Sequence, residues 1–369
     1  MHGGIMSVGI YIDPPAKSLL DDRFFTQSIS SLARCLGFIK ATFEAQGIAV
    51  HTADRLPAPG GSDRHLYVSI GNLAGYRRLV NRPDVTLSAF MVTESPIVDP
   101  TLYRGLADVR RHFKRLYSCI DQRDITEFVG ADVSCTSLRW PIDFHGVDLP
   151  LWSRSDRGFL AMINMNKLPR LTRYELFTER MRAVEFFSRT NDIDLYGVGW
   201  NKASMKMGRP RIPWTVRRAN MALRDWIDRI HPDPLLVAAR KVYKGELDTK
   251  WETLSRYDFL MCLENTRLGG WVTEKIFESF RVGAIPIYWG ANDIDELVPP
   301  ESFIDMRQFA GYPELLEFLK RLGRPEVHRY RDAGRAFLES KAFEPFSRER
   351  FATIFRDLLE QDAGARVTI

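Results

Sequence analysis

The sequence predicts an α/β fold in two halves, each built on a parallel sheet, and three observations carry that reading. Short β-rich runs alternate with stretches whose apolar residues recur at helical spacing over most of the chain. The 369 residues are many for one domain and comfortable for two. A stretch rich in Gly, Pro and charge at 144–157 interrupts the rhythm and reads as a boundary.

The elements follow in order. The first strand, 8–12, is apolar and stopped by Asp13-Pro14-Pro15; a helix is predicted over 24–46, and strands over 66–70, 87–92, 115–120 and 137–142. Past the boundary, strands are predicted over 159–164, 193–198, 259–263 and 284–289, with helices over 174–188 and 273–282. Such alternation gives βαβ units, with a ligand held near the carboxyl ends of the strands. The domain expectation is 1–150, then 151–345, then a C-terminal helix over 346–369.

Hydrophobic content of 45% and charged content of 27% fit a globular chain with a full core. Lys and Arg number 52 against 47 Asp and Glu, a net charge of +5 with a pI near 9.0. This suits anionic partners such as nucleotide diphosphates, lipid surfaces or nucleic acid, and equally describes an ordinary solvated surface. No nucleic-acid module is visible. The opening residues do not read as a signal peptide, and nowhere do eighteen apolar residues run together, so a cytoplasmic protein is expected, or one peripheral on the cytosolic membrane face. Cys35, Cys119, Cys135 and Cys262 show no C-x-x-C spacing, which argues against a zinc site or redox dithiol.

The stretch 205–244 departs from the rhythm. Ten basic residues face three acidic ones there, with Trp214 and Trp226 among them. Contact with an anionic membrane, cover for an acceptor site, or a plain solvated helical excursion all fit such a stretch.

Chemistry concentrates in 257–305. A buried strand ends in Glu264-Asn265, Gly269-Gly270 makes a turn, Trp271 follows, and a helix opens near Thr273. Free amides at that helix start, with Lys275, make an anion site; Trp271 can stack on a flat base, and Glu274 can accept hydrogen bonds from sugar hydroxyls. Two Asp-x-Asp segments, 192–194 and 293–295, invite a metal reading, but capping or surface roles fit them better.

Glu264-Asn265, the aromatic at 271, Val272-Thr273-Glu274-Lys275, Ile285-Pro286-Ile287-Tyr288-Trp289-Gly290 and Pro300-Glu301-Ser302-Phe303-Ile304 together resemble the donor signature of the α-1,3/1,4-fucosyltransferases, glycosyltransferase family 10. Trp271 stands where that family's pattern has tyrosine. The resemblance implies two Rossmann-like domains in the GT-B arrangement, parallel sheets facing a central cleft. It implies GDP-fucose as donor, an acceptor oligosaccharide, inversion, and no cofactor or required metal. Donor contacts would be Arg173, Asn265, Trp271, Thr273, Glu274 and Lys275. Arg173-Tyr174-Glu175-Leu176-Phe177 is similar to the family's Arg-led helix start, with Arg170 a neighbour of the same chemistry. Phe90-Met91-Val92-Thr93-Glu94-Ser95-Pro96 is similar to the strand end that supplies the base, which makes Glu94 the catalytic residue. A bacterial-type cytoplasmic enzyme building lipopolysaccharide or capsule glycans is the expected setting. The rivals are the same fold with another nucleotide-linked sugar, and a non-catalytic polyanion binder.

Overall fold

Parallel strands buried on both faces need near-continuous apolar runs, and this chain supplies them twice. The computed structural model describes residues 8–26, 30–60, 63–130, 133–169, 171–203, 205–206, 214–247 and 249–369. It divides into two units. The first comprises Met1–Pro96, Pro100–His145 and Ala342–Ile369, and the second Ile97–Asp99 and Gly146–Lys341.

The first unit holds β1 (Val8–Asp13), β2 (Ala49–Thr52), β3 (Arg64–Ile70), β4 (Val85–Val92), β5 (Arg115–Ser118) and β6 (Thr136–Ser137). They form one parallel sheet in the order β2-β1-β3-β4-β5-β6. The helix Ser31–Glu44 crosses from β1 to β2 and buries Leu32, Leu36, Ile39 and Phe43, a stripe at helical spacing. The helix expected over 24–46 is thus shorter, preceded by a separate 3-10 turn at Arg23–Thr26. The strand expected over 137–142 shrinks to two residues. Pro141 lacks an amide for the ladder, and Ile142 instead makes an isolated parallel bridge with Ser347. The helix Arg348–Ala363, expected as a separate C-terminal piece, is packed inside this unit. Asp362 accepts from Lys114 Nζ at 2.8 Å, from Arg115 Nη1 at 2.7 Å and from Ser88 Oγ, tying the helix to β4 and β5.

The second unit holds β7 (Gly158–Ile163), β8 (Lys167–Leu168), β9 (Ile193–Tyr196), β10 (Met205–Lys206), β11 (Tyr243–Gly245), β12 (Tyr257–Leu263), β13 (Ile285–Trp289) and β14 (Ile304–Asp305). Six of them make a parallel sheet in the order β11-β9-β7-β12-β13-β14, and β8 pairs with β10 separately. β9 stops two residues short of expectation, at Gly197. There φ is +120°, and a Cβ would lie 2.0 Å from the Asn164 carbonyl oxygen. Only glycine fits. The helix expected from Tyr174 begins instead at Phe177, because Tyr174 sits at φ +65° and cannot be helical. Within 205–244 the described residues form two helices, Trp214–Ile230 and Pro234–Val242. No helix among the described residues is long and apolar enough to cross a membrane.

Candidate functional site

β12 runs between β7 and β13, so its carboxyl end opens where a parallel sheet offers its ligand edge. The next residue, Glu264, is fully buried, an arrangement tolerable for a carboxylate only with donors around it. Its Oε1 accepts from the Thr273 amide and hydroxyl, both at 2.8 Å. Its Oε2 accepts from Lys275 Nζ at 2.7 Å. Lys275 also donates to Thr273 Oγ1 at 2.7 Å, closing a ring of three side chains. Gly290 completes the cradle, since a Cβ there would lie 2.6 Å from Glu264 Cγ and 2.3 Å from the Tyr288 hydroxyl.

This ring revises the expected anion site. The Thr273 amide is occupied by Glu264, and its hydroxyl does not cap the helix Glu274–Val282. The first turn, left without a side-chain cap, starts one residue later. Glu274 is half-buried on that turn. Burial pushes its carboxyl up, but Lys275 and Lys250 outweigh this and hold it below the ordinary glutamate value. Glu278, one turn on, is raised by burial despite its ion pair to Lys250 at 2.6 Å.

The glycine turn is also fastened. Gly270 at φ +75° donates its amide to Asp293 Oδ1 at 2.9 Å and Oδ2 at 3.1 Å. Trp271 is 2% exposed, so the open stacking face expected of it is covered. Asp293 therefore holds the turn. Asp295 pairs with Arg307 at 3.2 Å, Asp192 with Lys320 at 3.0 Å, and Asp194 accepts from the Tyr257 hydroxyl at 2.7 Å. Among the described residues no group of three or more His, Cys, Asp or Glu gathers as metal ligands.

Arg180 went unread in the sequence. It is buried on the helix Phe177–Thr190, donating to the Leu263 carbonyl at 2.7 Å and to Asn265 Oδ1 at 2.9 Å. Its guanidinium lies 4.5 Å from the centre of the Phe177 ring. Burial brings its pKa down to about 10, against the pull of Glu264. The signal was present: Phe177, Arg180, Met181, Val184 and Phe187 form one stripe with a guanidinium in an apolar slot.

Arg173 precedes this helix on an exposed loop, its guanidinium 4.5 Å from the centre of the Tyr174 ring. That loop is laced to the end of β12. The Leu176 amide donates to the Asn265 carbonyl at 3.2 Å, the Arg267 amide to the Tyr174 carbonyl at 3.0 Å, and Glu175 bridges Thr266. The structure thus brings Arg173's loop together with Asn265, Thr273 and Lys275. Arg170 lies outside the described residues. Ile97 is buried against Phe177. Glu94, in the first unit, lies two residues beyond β4, half-buried, with Oε1 accepting from the Ser95 amide at 2.9 Å and its carbonyl from the Tyr103 hydroxyl at 2.8 Å.

Asp13, read in the sequence as the stop of the first strand, is buried at the carboxyl end of β1. Burial raises its carboxyl pKa although Tyr67 and Asn72 donate to it.

Residues 238–332 match the model of "Glycosyltransferase family 10 (fucosyltransferase) C-term". The alpha-(1,4)-fucosyltransferase of Arabidopsis thaliana is 40% identical over 103 residues, 25% of this chain and 26% of that protein. The alpha-(1,3)-fucosyltransferase FucT of Helicobacter pylori is 29% identical over 151 residues, 38% of this chain and 30% of that protein. The matches thus span about a quarter to a third of these curated relatives. The fold extends further. A crystal structure of an alpha1,3-fucosyltransferase aligns with 98% of this chain and 93% of its own at a TM-score of 0.51 and 16% identity. Anabaena HepE, solved with UDP, aligns with 96% of this chain and 100% of its own at 0.52 and 12%.

Proposed function

We propose that the chain, whose residues 238–332 match the C-terminal model of glycosyltransferase family 10, transfers fucose from GDP-fucose to a hydroxyl of an acceptor glycan, with inversion and without a required metal. The observation that carries this reading is the Glu264–Thr273–Lys275 ring at the end of β12, inside the matched segment, with the Arg173 loop fastened beside it.

In this reaction Lys275 and Arg173 hold the diphosphate, and the uncapped first turn of Glu274–Val282 adds amides to its oxygens. Glu274, kept ionised, accepts from donor hydroxyls. Asn265, oriented by Arg180, borders the same end of the sheet. Trp271, with its face covered, supports the glycine turn against which the guanine packs. Glu94 takes the acceptor proton as that oxygen forms its bond to the anomeric carbon. The carbon–oxygen bond to the diphosphate breaks, and GDP leaves with the electron pair. Fixed cations supply the stabilisation that a metal gives elsewhere, so the reaction runs with chelator present. The cytoplasm suits a chain whose Cys35, Cys119 and Cys262 are buried free thiols.

The test is transfer from GDP-fucose, GDP-mannose and UDP-sugars to a panel of oligosaccharides, with and without chelator. Fucose transfer that falls at least a hundredfold in Glu94→Gln, with GDP-fucose affinity unchanged, supports the reading. Near wild-type turnover in Glu94→Gln sinks the base assignment, and transfer from another donor alone replaces fucose in it.

A further inference from the structure

A helix on a protein surface ordinarily turns its apolar stripe inward and its charges out. The helix Trp214–Ile230 does the reverse. At about 100° per residue, Val216, Leu223, Trp226, Ile227 and Ile230 fall within one arc of about 100°. Each is between 45% and 58% exposed. Centred on the opposite side are the acids. Asp225 accepts from the Ala203 amide at 2.9 Å, and Asp228 pairs with Arg240 of the next helix. The carboxylates thus serve as the attachment to the protein, and the apolar arc is left outside.

The rim of that arc is basic. Arg229 flanks one side and Arg224 the other, each about 60° beyond the edge of the arc, and among the described residues neither has an ion-pair partner. Val237 on the helix Pro234–Val242 is also 38% exposed. A helix of this length presents about 25 Å of straight surface. An apolar band with cations on both flanks matches the layering of an anionic bilayer, where acyl chains lie under charged headgroups.

We infer that the Trp214–Ile230 helix is an interfacial anchor, lying in the plane of an anionic lipid bilayer with Trp226 and Leu223 inserted and Arg224 and Arg229 at the headgroups. The inference is independent of the sugar transferred. It places the acceptor class at or near a membrane surface.

The experiment is flotation of the full chain with vesicles of phosphatidylcholine alone or with about a third phosphatidylglycerol, at 0.15 M salt. Wild type is expected to float with the anionic vesicles at least tenfold more than with neutral ones. Leu223→Gln/Trp226→Gln should lower that binding at least tenfold, and Arg224→Gln/Arg229→Gln should lower it and flatten its salt dependence. Of the four side chains replaced by Gln, Leu223, Trp226 and Arg229 are exposed and Arg224 is half-buried, so an unchanged thermal midpoint shows the variants folded. No flotation of folded wild type overturns the proposal, as does equal flotation of the apolar variant. A wild-type dimer that becomes monomeric in Leu223→Gln/Trp226→Gln also overturns it, since the band would then cover a second copy.

Discussion

Replacing Lys275 with alanine should do two things that have to be measured apart. The ammonium lies 2.7 Å from Glu264, with the lysine side chain 22% exposed and the glutamate fully buried. At that separation and an effective dielectric near 20, the attraction is about 6 kcal/mol before desolvation is counted. Removing one partner of a buried pair leaves a charge that costs about 3–5 kcal/mol. The Thr273 amide and hydroxyl still donate to Glu264, so the lower end of that range, about 3 kcal/mol, is expected. Adding Glu264→Gln removes the stranded charge and keeps the shape, and should recover about 2 kcal/mol of it. Urea unfolding of wild type, both single variants and the double variant closes the cycle. GDP calorimetry, run where each variant is folded, then reads the second effect. Affinity should fall at least tenfold, about 1.4 kcal/mol, in Lys275→Ala and in the double variant alike. A coupling below about 0.5 kcal/mol refutes the ring as a structural unit. Wild-type GDP affinity in folded Lys275→Ala refutes the diphosphate role.

Three further outcomes follow from other contacts. Arg180→Met should leave a folded protein with weakened nucleotide binding, because Asn265 loses its donor; rescue by Arg180→Lys, read by calorimetry, separates positioning from packing. Asp362 is raised by burial but lowered more by Arg115, Lys114 and Ser88, so its folded pKa lies below the unfolded value of about 3.9. Its stabilisation is present above that value and is lost as pH falls through the folded one; Asp362→Asn should cost about 2 kcal/mol at pH 7 and flatten the acid limb of urea midpoints against pH. Gly197→Ala should cost more than about 3 kcal/mol in thermal unfolding, since its Cβ meets the Asn164 carbonyl oxygen at 2.0 Å where φ is already +120°.

Much of the fold could be read in advance because periodicity reports burial. The long central strands β1, β3, β4, β7, β12 and β13 have five residues or more and are mostly apolar, and each lies within two residues of its expected bounds at either end. Short edge strands were not anticipated, since β2, β11 and β14 have two to four residues and are set by pairing partners. At the site, the chemical types at 264–275 are legible from residue identity, but their pairing is not. That Thr273 would turn to Glu264 rather than cap its helix depends on Glu264 being wholly buried. Burial of that kind arises from β7 and β13 flanking β12, a non-local fact. The same holds for Asp293, whose partner Gly270 is distant in sequence.

The return of the last segment to the first unit bears on how the protein is made. The second unit is almost continuous in sequence, whereas the first is complete only when everything from Ala342 onward has been synthesised. Until Asp362 reaches Ser88, Lys114 and Arg115, the sheet of the first unit lacks one of its covering helices. The first unit is therefore finished after the second, and a chain halted before Ala342 would carry an assembled second unit together with an uncovered, aggregation-prone first sheet.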